Sequence, residues 1–159
     1  MGQRYAHDLT GVMRFYKDDL SDGEICLKLV RTSEGQPERK YLPEYCFSIQ
    51  RADGTYLGYC DFRVGHNENT YFGGNIGYTV EAEHRGHHYA AKAVRLILSL
   101  AKKHGMDHIL ITCDPDNLAS VKTCERAGGK LLETAAIPES SDMYQRGRRY
   151  VNVYRFDIK

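Results

Sequence analysis

The sequence of 159 residues has no tryptophan and only four prolines. It has no Cys-x-x-Cys pair, no internal repeat, no low-complexity stretch and no linker that would divide it. Each absence excludes something. Five cysteines, an odd number without that spacing, do not make a disulfide framework. Cys26, Cys46, Cys60, Cys113 and Cys124 are read instead as reduced thiols of a cytoplasmic protein. No apolar run approaches the roughly 18 residues of a membrane span. The N-terminus lacks a signal-peptide apolar region and a myristoylation pattern. Neither sign of charge dominates: 22 basic residues face 21 acidic ones, which argues against a nucleic-acid binder and against a strongly polyanionic partner. What remains is an ordinary soluble composition, 42% apolar and 27% charged, in a length that suits one domain over residues 1–159.

The pattern along the chain predicts strands first. In residues 1–20, Leu9, Val12, Met13 and Tyr16 give only a weak helical spacing. Ile25–Val30 alternates, and Ser33–Arg39 reads as a loop. Tyr45–Gln50 and Thr55–Val64 read as a hairpin, with turn chemistry at Arg51–Gly54. His66–Thr70 reads as a polar turn and Tyr71–Val80 as another strand. The period then changes. Ala90, Ala93, Val94, Ile97 and Ala101 share one face of a helix over Tyr89–Lys103, closed by Gly105. His108–Cys113 reads as a central strand. A helix follows from Asn117 to about Ala127, and then two closing strands, Lys130–Ala136 and Tyr150–Ile158. Several antiparallel strands with interleaved helices imply an α/β chain built on a mixed sheet.

Two stretches carry chemistry. Val80–Ala90 passes from a strand through a glycine turn into a helix, which aims unpaired N–H groups and partial positive charge at one spot. Arg85 adds a full charge, so the spot favours phosphate, although a plain strand-to-helix connection has the same spacing. Asp114–Ser120 opens the second helix, with Asn117 and Ser120 three apart on one side of its first turn. Asn117 suits a ligand, a helix cap, or both. His84, His87 and His88 have no Cys or carboxylate at a recognised ligand spacing beside them, so no metal is expected there.

Together these stretches resemble the GNAT acetyltransferase family over about Asn75 to Gly129. The family signature Arg/Gln-x-x-Gly-x-Gly/Ala aligns with Arg85-Gly86-His87-His88-Tyr89-Ala90, and its Asn-x-x-Ser/Ala motif with Asn117-Leu118-Ala119-Ser120. The resemblance implies a GNAT-type acyl-CoA N-acyltransferase fold. Its central, mostly antiparallel twisted sheet splays between the fourth and fifth strands and is flanked by helices. It also implies acetyl-CoA as cosubstrate, with backbone of Tyr78, Thr79 and Val80 for the oxyanion and pantetheine. Pyrophosphate falls to Arg85, Gly86, His87, His88, Tyr89 and Ala90, and further contacts to Asn117 and Ser120. The reaction implied is direct attack of a primary amine, of a small molecule or a protein N-terminus, on the thioester. A homodimer is compatible with it.

Three departures stand out. His88 occupies a signature glycine. Cys124 occupies the position, seven after Asn117, where many members carry a tyrosine that protonates the leaving thiolate. Cys124 is therefore the candidate acid, against the alternative of a packing residue. Between residues 31 and 44 there is room for little more than one helical turn, where the family places two helices. Asp61, His66, Glu68, Glu81 and Asp114 are all candidates for the base. The alternative function is a non-catalytic acyl-CoA-binding sensor on the same fold.

Overall fold

The computed structural model describes residues 13–159. Leu9 and Val12 lie outside the described residues, and residues 13–18 form no helix. The strands and helices are β1 (Leu20–Ser21), β2 (Ile25–Ser33), β3 (Glu44–Arg51), β4 (Tyr56–Arg63), α1 (Glu68–Gly73), β5 (Ile76–Val80), α2 (Tyr89–Lys103), β6 (His108–Cys113), α3 (Leu118–Arg126), β7 (Lys130–Ala136), α4 (Asp142–Gln145) and β8 (Tyr150–Asp157). Strands β1 to β5 form one antiparallel sheet in sequence order. Strands β6, β8 and β7 form a second antiparallel sheet with β8 in the middle.

Alternation sets what each strand of the larger sheet buries. Ile25 and Leu27 of β2, Tyr45, Phe47 and Ile49 of β3, and Cys60 and Phe62 of β4 all join the main core. Helix α2 covers them with Ala93, Val94, Ile97, Leu100 and Ala101, the face its apolar period marks out. Tyr45 is fully buried, and its hydroxyl is satisfied there: it accepts from Tyr16 N at 2.9 Å and lies 2.7 Å from His104 Nε2. The β3–β4 turn is tight because Gly54 adopts φ 92° and Asp53 Oδ1 accepts from Thr55 N at 2.9 Å. In the stretch read as a loop, β2 extends to Ser33 and Pro37–Arg39 forms a single 3-10 turn.

The structure corrects the reading of residues 66–80. Helix α1 stands where a polar turn and the start of a strand were expected, and β5 begins only at Ile76. Asn67 Oδ1 accepts from Thr70 N and Thr70 Oγ1 accepts from Asn67 N, both at 2.9 Å, a reciprocal cap that nucleates the helix. Gly74, at φ 80°, ends it. Tyr71 and Phe72 then pack against the second core of Leu110, Ala135, Ile137, Val151 and Val153. An aromatic pair beside a glycine pair looks like a strand end locally; the cap and this packing decide otherwise.

The sheets part between β5 and β6. This is the splay expected beside Tyr78–Val80, and the two-residue β1 makes these the fifth and sixth strands. Asn75, completely buried, closes the base of the splay. Its N–H donates to Leu110 O at 2.6 Å, and Leu110 N donates back to Asn75 Oδ1 at 2.9 Å. Asn75 Nδ2 donates to Arg63 O at 3.0 Å and Gly65 O at 2.6 Å. Beyond Asn75, β5 pairs only with β4 and β6 only with β8 among the described residues.

At the start of β6, the His66 and His108 rings stack with centroids 4.1 Å apart. His66 Nε2 lies 3.1 Å from His108 O, and His108 Nδ1 lies 2.6 Å from Asp107 Oδ1. Burial, then the neighbouring His108, holds His66 below its ordinary histidine value, with Asp107 opposing and Arg155 reinforcing. The unfolded chain therefore takes up a proton at this site before the folded one does. The contribution of His66 to stability is complete above the unfolded value and is lost as pH falls through the folded one. Thermal melts between about pH 7.5 and about pH 5, either side of the histidine range, are expected to show a falling Tm. His66→Gln is expected to flatten that fall, and an unchanged slope would show that another group causes it.

Candidate active site

The open edge of β5, the start of α2 and one side of α3 enclose a cleft of about 520 Å³. Ten of the eleven expected cofactor-binding residues line it: Tyr78, Thr79, Val80, Arg85, Gly86, His88, Tyr89, Ala90, Asn117 and Ser120. His87 does not; its ring rests 5.4 Å from that of Tyr89.

The start of α2 has the construction of an anion site. A 3-10 turn over Ala82–His84 leads to Gly86 at φ 92° and His88 at φ 64°, directly before Tyr89. His88 is thus the residue before the helix, in left-handed conformation, rather than a residue of its first turn. That geometry explains why a glycine suits the position: a side chain there costs about 1 kcal/mol or more. His88 makes no side-chain cap. The first N–H groups of α2, at Tyr89, Ala90 and Ala91, therefore have no intrahelical acceptor, and these three residues line the cleft at the positive end of the dipole. Arg85 Nε donates to Val80 O at 3.0 Å, which holds the guanidinium between β5 and the turn.

Helix α3 supplies the facing wall. Asn117 Oδ1 accepts from Ser120 N at 3.2 Å, so Asn117 caps the helix while lining the cleft. Sequence reasoning missed Lys122, Thr123 and Arg126, which also line it. The signal was available: Lys122 and Arg126 are four apart on a helix and so share a face with each other. With Arg85 they give the cleft three cations, and no aspartate or glutamate lines it.

The expected acid, Cys124, is completely buried and does not line the cleft. Its thiol hydrogen-bonds with Cys113, which pushes Cys124 well above the ordinary thiol value, and burial adds to the effect. The same bond holds Cys113 below the ordinary thiol value. Tyr78 stands between this pair and the cleft. Its hydroxyl lies 2.8 Å from Ser120 Oγ and contacts the Cys124 thiol, and burial raises its pKa above the ordinary phenol value.

The five candidate bases are now separated in space. His66 stacks on His108, Glu68 pairs with Lys40 at 3.7 Å, and Asp114 pairs with Arg148 at 3.0 Å. Glu81 is an exposed residue ahead of the 3-10 turn. Asp61 alone bonds to β5: Gly77 N donates to its Oδ1 at 3.1 Å, and Arg63 Nη1 lies 3.2 Å away. Burial raises the Asp61 carboxyl, opposed first by Arg63. Among the described residues no cluster of three or more His, Cys, Asp or Glu has a metal-holding arrangement, and no helix is long and apolar enough to cross a membrane.

The antiparallel sheets that splay between β5 and β6, with an uncapped helix start beside the splay, define a class, and the sequence comparison agrees. Residues 3–130 match the acetyltransferase (GNAT) domain model, and the chain belongs to that family. Among solved structures it is similar to a GNAT-family acetyltransferase from Bacillus anthracis, at 19% identity and a TM-score of 0.57, over 70% of this chain and 65% of that one. It is similar to the microcin C7 self-immunity acetyltransferase MccE, solved with acetyl-CoA and AMP, at 22% identity and a TM-score of 0.57, over 72% and 61%. A third is a spermidine N-acetyltransferase from Vibrio cholerae, solved with CoA and spermine, at 15% identity and a TM-score of 0.56, over 72% and 66%. The matched region spans less than two thirds of each of these chains, and at such identities the likeness is one of fold. Against curated proteins the sequence finds no significant match.

Proposed function

We propose that this protein is an N-acetyltransferase that moves the acetyl group of acetyl-CoA to a primary amine by direct attack. The observation that carries this reading is the cleft: three cations and an uncapped helix start, with no carboxylate, beside an unpaired strand edge. A ligand with a polyanionic end and an amide-bearing arm uses both features. The N–H groups of Tyr89–Ala91, with Arg85, take the pyrophosphate. The edge of β5 at Tyr78–Val80 hydrogen-bonds the pantetheine amides and offers N–H groups to the oxyanion that develops on the acetyl carbonyl. Lys122 and Arg126 hold phosphate from the other wall. Asp61, across β5 at Gly77, is the carboxylate placed to take the amine's proton, directly or through water.

Two solved relatives of the fold act on an amine or hold acetyl-CoA according to their descriptions, which supports the reading without choosing the acceptor. The test is CoA release by the purified protein from acetyl-CoA with spermidine, an amino sugar and a peptide with a free N-terminus. Saturable, acceptor-dependent release is expected with at least one. Tight acetyl-CoA binding without release on any of them would identify a sensor module instead.

A further inference from the structure

Breaking a thioester places charge on sulfur, so a donor aimed at that atom lowers the barrier. The cations of the cleft stand at the anion end, on the α2 turn and the outer turns of α3. Along the β5 edge, where the thioester must lie to meet the strand's N–H groups, the lining side chains are Tyr78, Thr79 and Val80. Tyr78 is the titratable one. Its hydroxyl spans from β5 to α3 and lies 2.8 Å from Ser120 Oγ. It also contacts Cys124, the residue that sequence position alone nominated.

The geometry points to Tyr78 as the residue whose hydroxyl donates a hydrogen bond to the departing CoA sulfur, with Ser120 Oγ donating to that hydroxyl and holding it in place. The inference rests on the acetyltransferase reading of the same cleft. Cys124 cannot take this part, because it is completely buried and engaged with Cys113. Ser120 orients the phenol from the α3 side.

Relative acidities decide between donating a hydrogen bond and giving up the proton. An ordinary phenol titrates near 10 and a thiol near 8.5, so full transfer to the thiolate is uphill by about 1.5 pH units. Burial of Tyr78 widens the gap. The phenol therefore keeps its proton throughout. The amine nitrogen forms the C–N bond and loses a proton to the base or to water. The C–S bond breaks with its electron pair going to sulfur. The sulfur leaves as a thiolate held by the Tyr78 O–H, and it then takes a proton from solvent according to pH.

The test reads the sulfur itself and needs no acceptor. The ionisation of the CoA thiol, bound in the cleft, is followed by thiolate absorbance against a desulfo-CoA blank. Both wild type and Tyr78→Phe are compared with protein in which fluorotyrosine replaces Tyr78. A hydrogen bond to a charged acceptor is expected to raise the thiolate-to-thiol ratio of bound CoA at fixed pH by about tenfold or more over Tyr78→Phe. The more acidic fluorotyrosine should raise it further while keeping the shape of the side chain. Equal ratios in wild type and Tyr78→Phe, or a fluorotyrosine protein indistinguishable from wild type, would overturn the assignment. If the wild type fails to bind CoA at all, the proposed function fails first, and the titration reports that separately.

Discussion

Replacing Asn75 with alanine is expected to remove about 3–5 kcal/mol of folding stability. The side chain makes three hydrogen bonds in complete burial: it accepts from Leu110 N and donates to Arg63 O and Gly65 O. Alanine leaves one N–H and two carbonyls without these partners, and no side chain of its size replaces them. Each such buried group costs roughly 1–3 kcal/mol, partly relieved by local relaxation. Asn75→Asp should be nearly as damaging, because a carboxylate oxygen then faces two carbonyls that need a donor. Urea unfolding at constant m-value measures the loss. A change below about 1 kcal/mol would show that Asn75 is not the clasp at the base of the splay. Because Asn75 joins β5 to β6 where they begin to part, a stable partial variant should also bind acetyl-CoA more weakly.

The parts of the fold that were legible are those where one period settles the matter. Helix α2 and strand β6 have in the structure the bounds that the sequence predicts. Helix α1 was illegible because its cause is a side-chain cap at Asn67 and packing on a distant core. The uncapped start of α2 was legible because the glycine turn before it shows in the sequence. Lys122 and Arg126 lie beyond the motif residues Asn117 and Ser120, and it is the packing of α3 that puts them on the cleft. The nomination of Cys124 came from position within a motif, and position does not say which side of α3 faces the cleft. Tyr78 was noticed for its backbone; that its hydroxyl reaches Ser120 depends on the distance between β5 and α3, which no local pattern carries. The family glycine at His88 became intelligible only with its φ of 64°.

The second large effect is expected from removing the cleft's cations together. Arg85, Lys122 and Arg126 line the cleft from opposite walls, and all three are exposed on the free protein. A charge-assisted bond to phosphate is worth more than a neutral one, but exposure and salt reduce it, so about 1 kcal/mol each is a fair discount. The triple variant Arg85→Ala, Lys122→Ala, Arg126→Ala is therefore expected to weaken acetyl-CoA binding by roughly 100-fold. It should also lose most of the dependence of affinity on ionic strength. None of the three belongs to the buried core, so the fold should persist.

Calorimetric titration of the wild-type protein with acetyl-CoA, alongside this triple variant, tests the central claim most directly. The account predicts one saturable site on the wild type, weakened about 100-fold in the variant. No saturable heat at millimolar acetyl-CoA, or equal affinity in the two proteins, would contradict it.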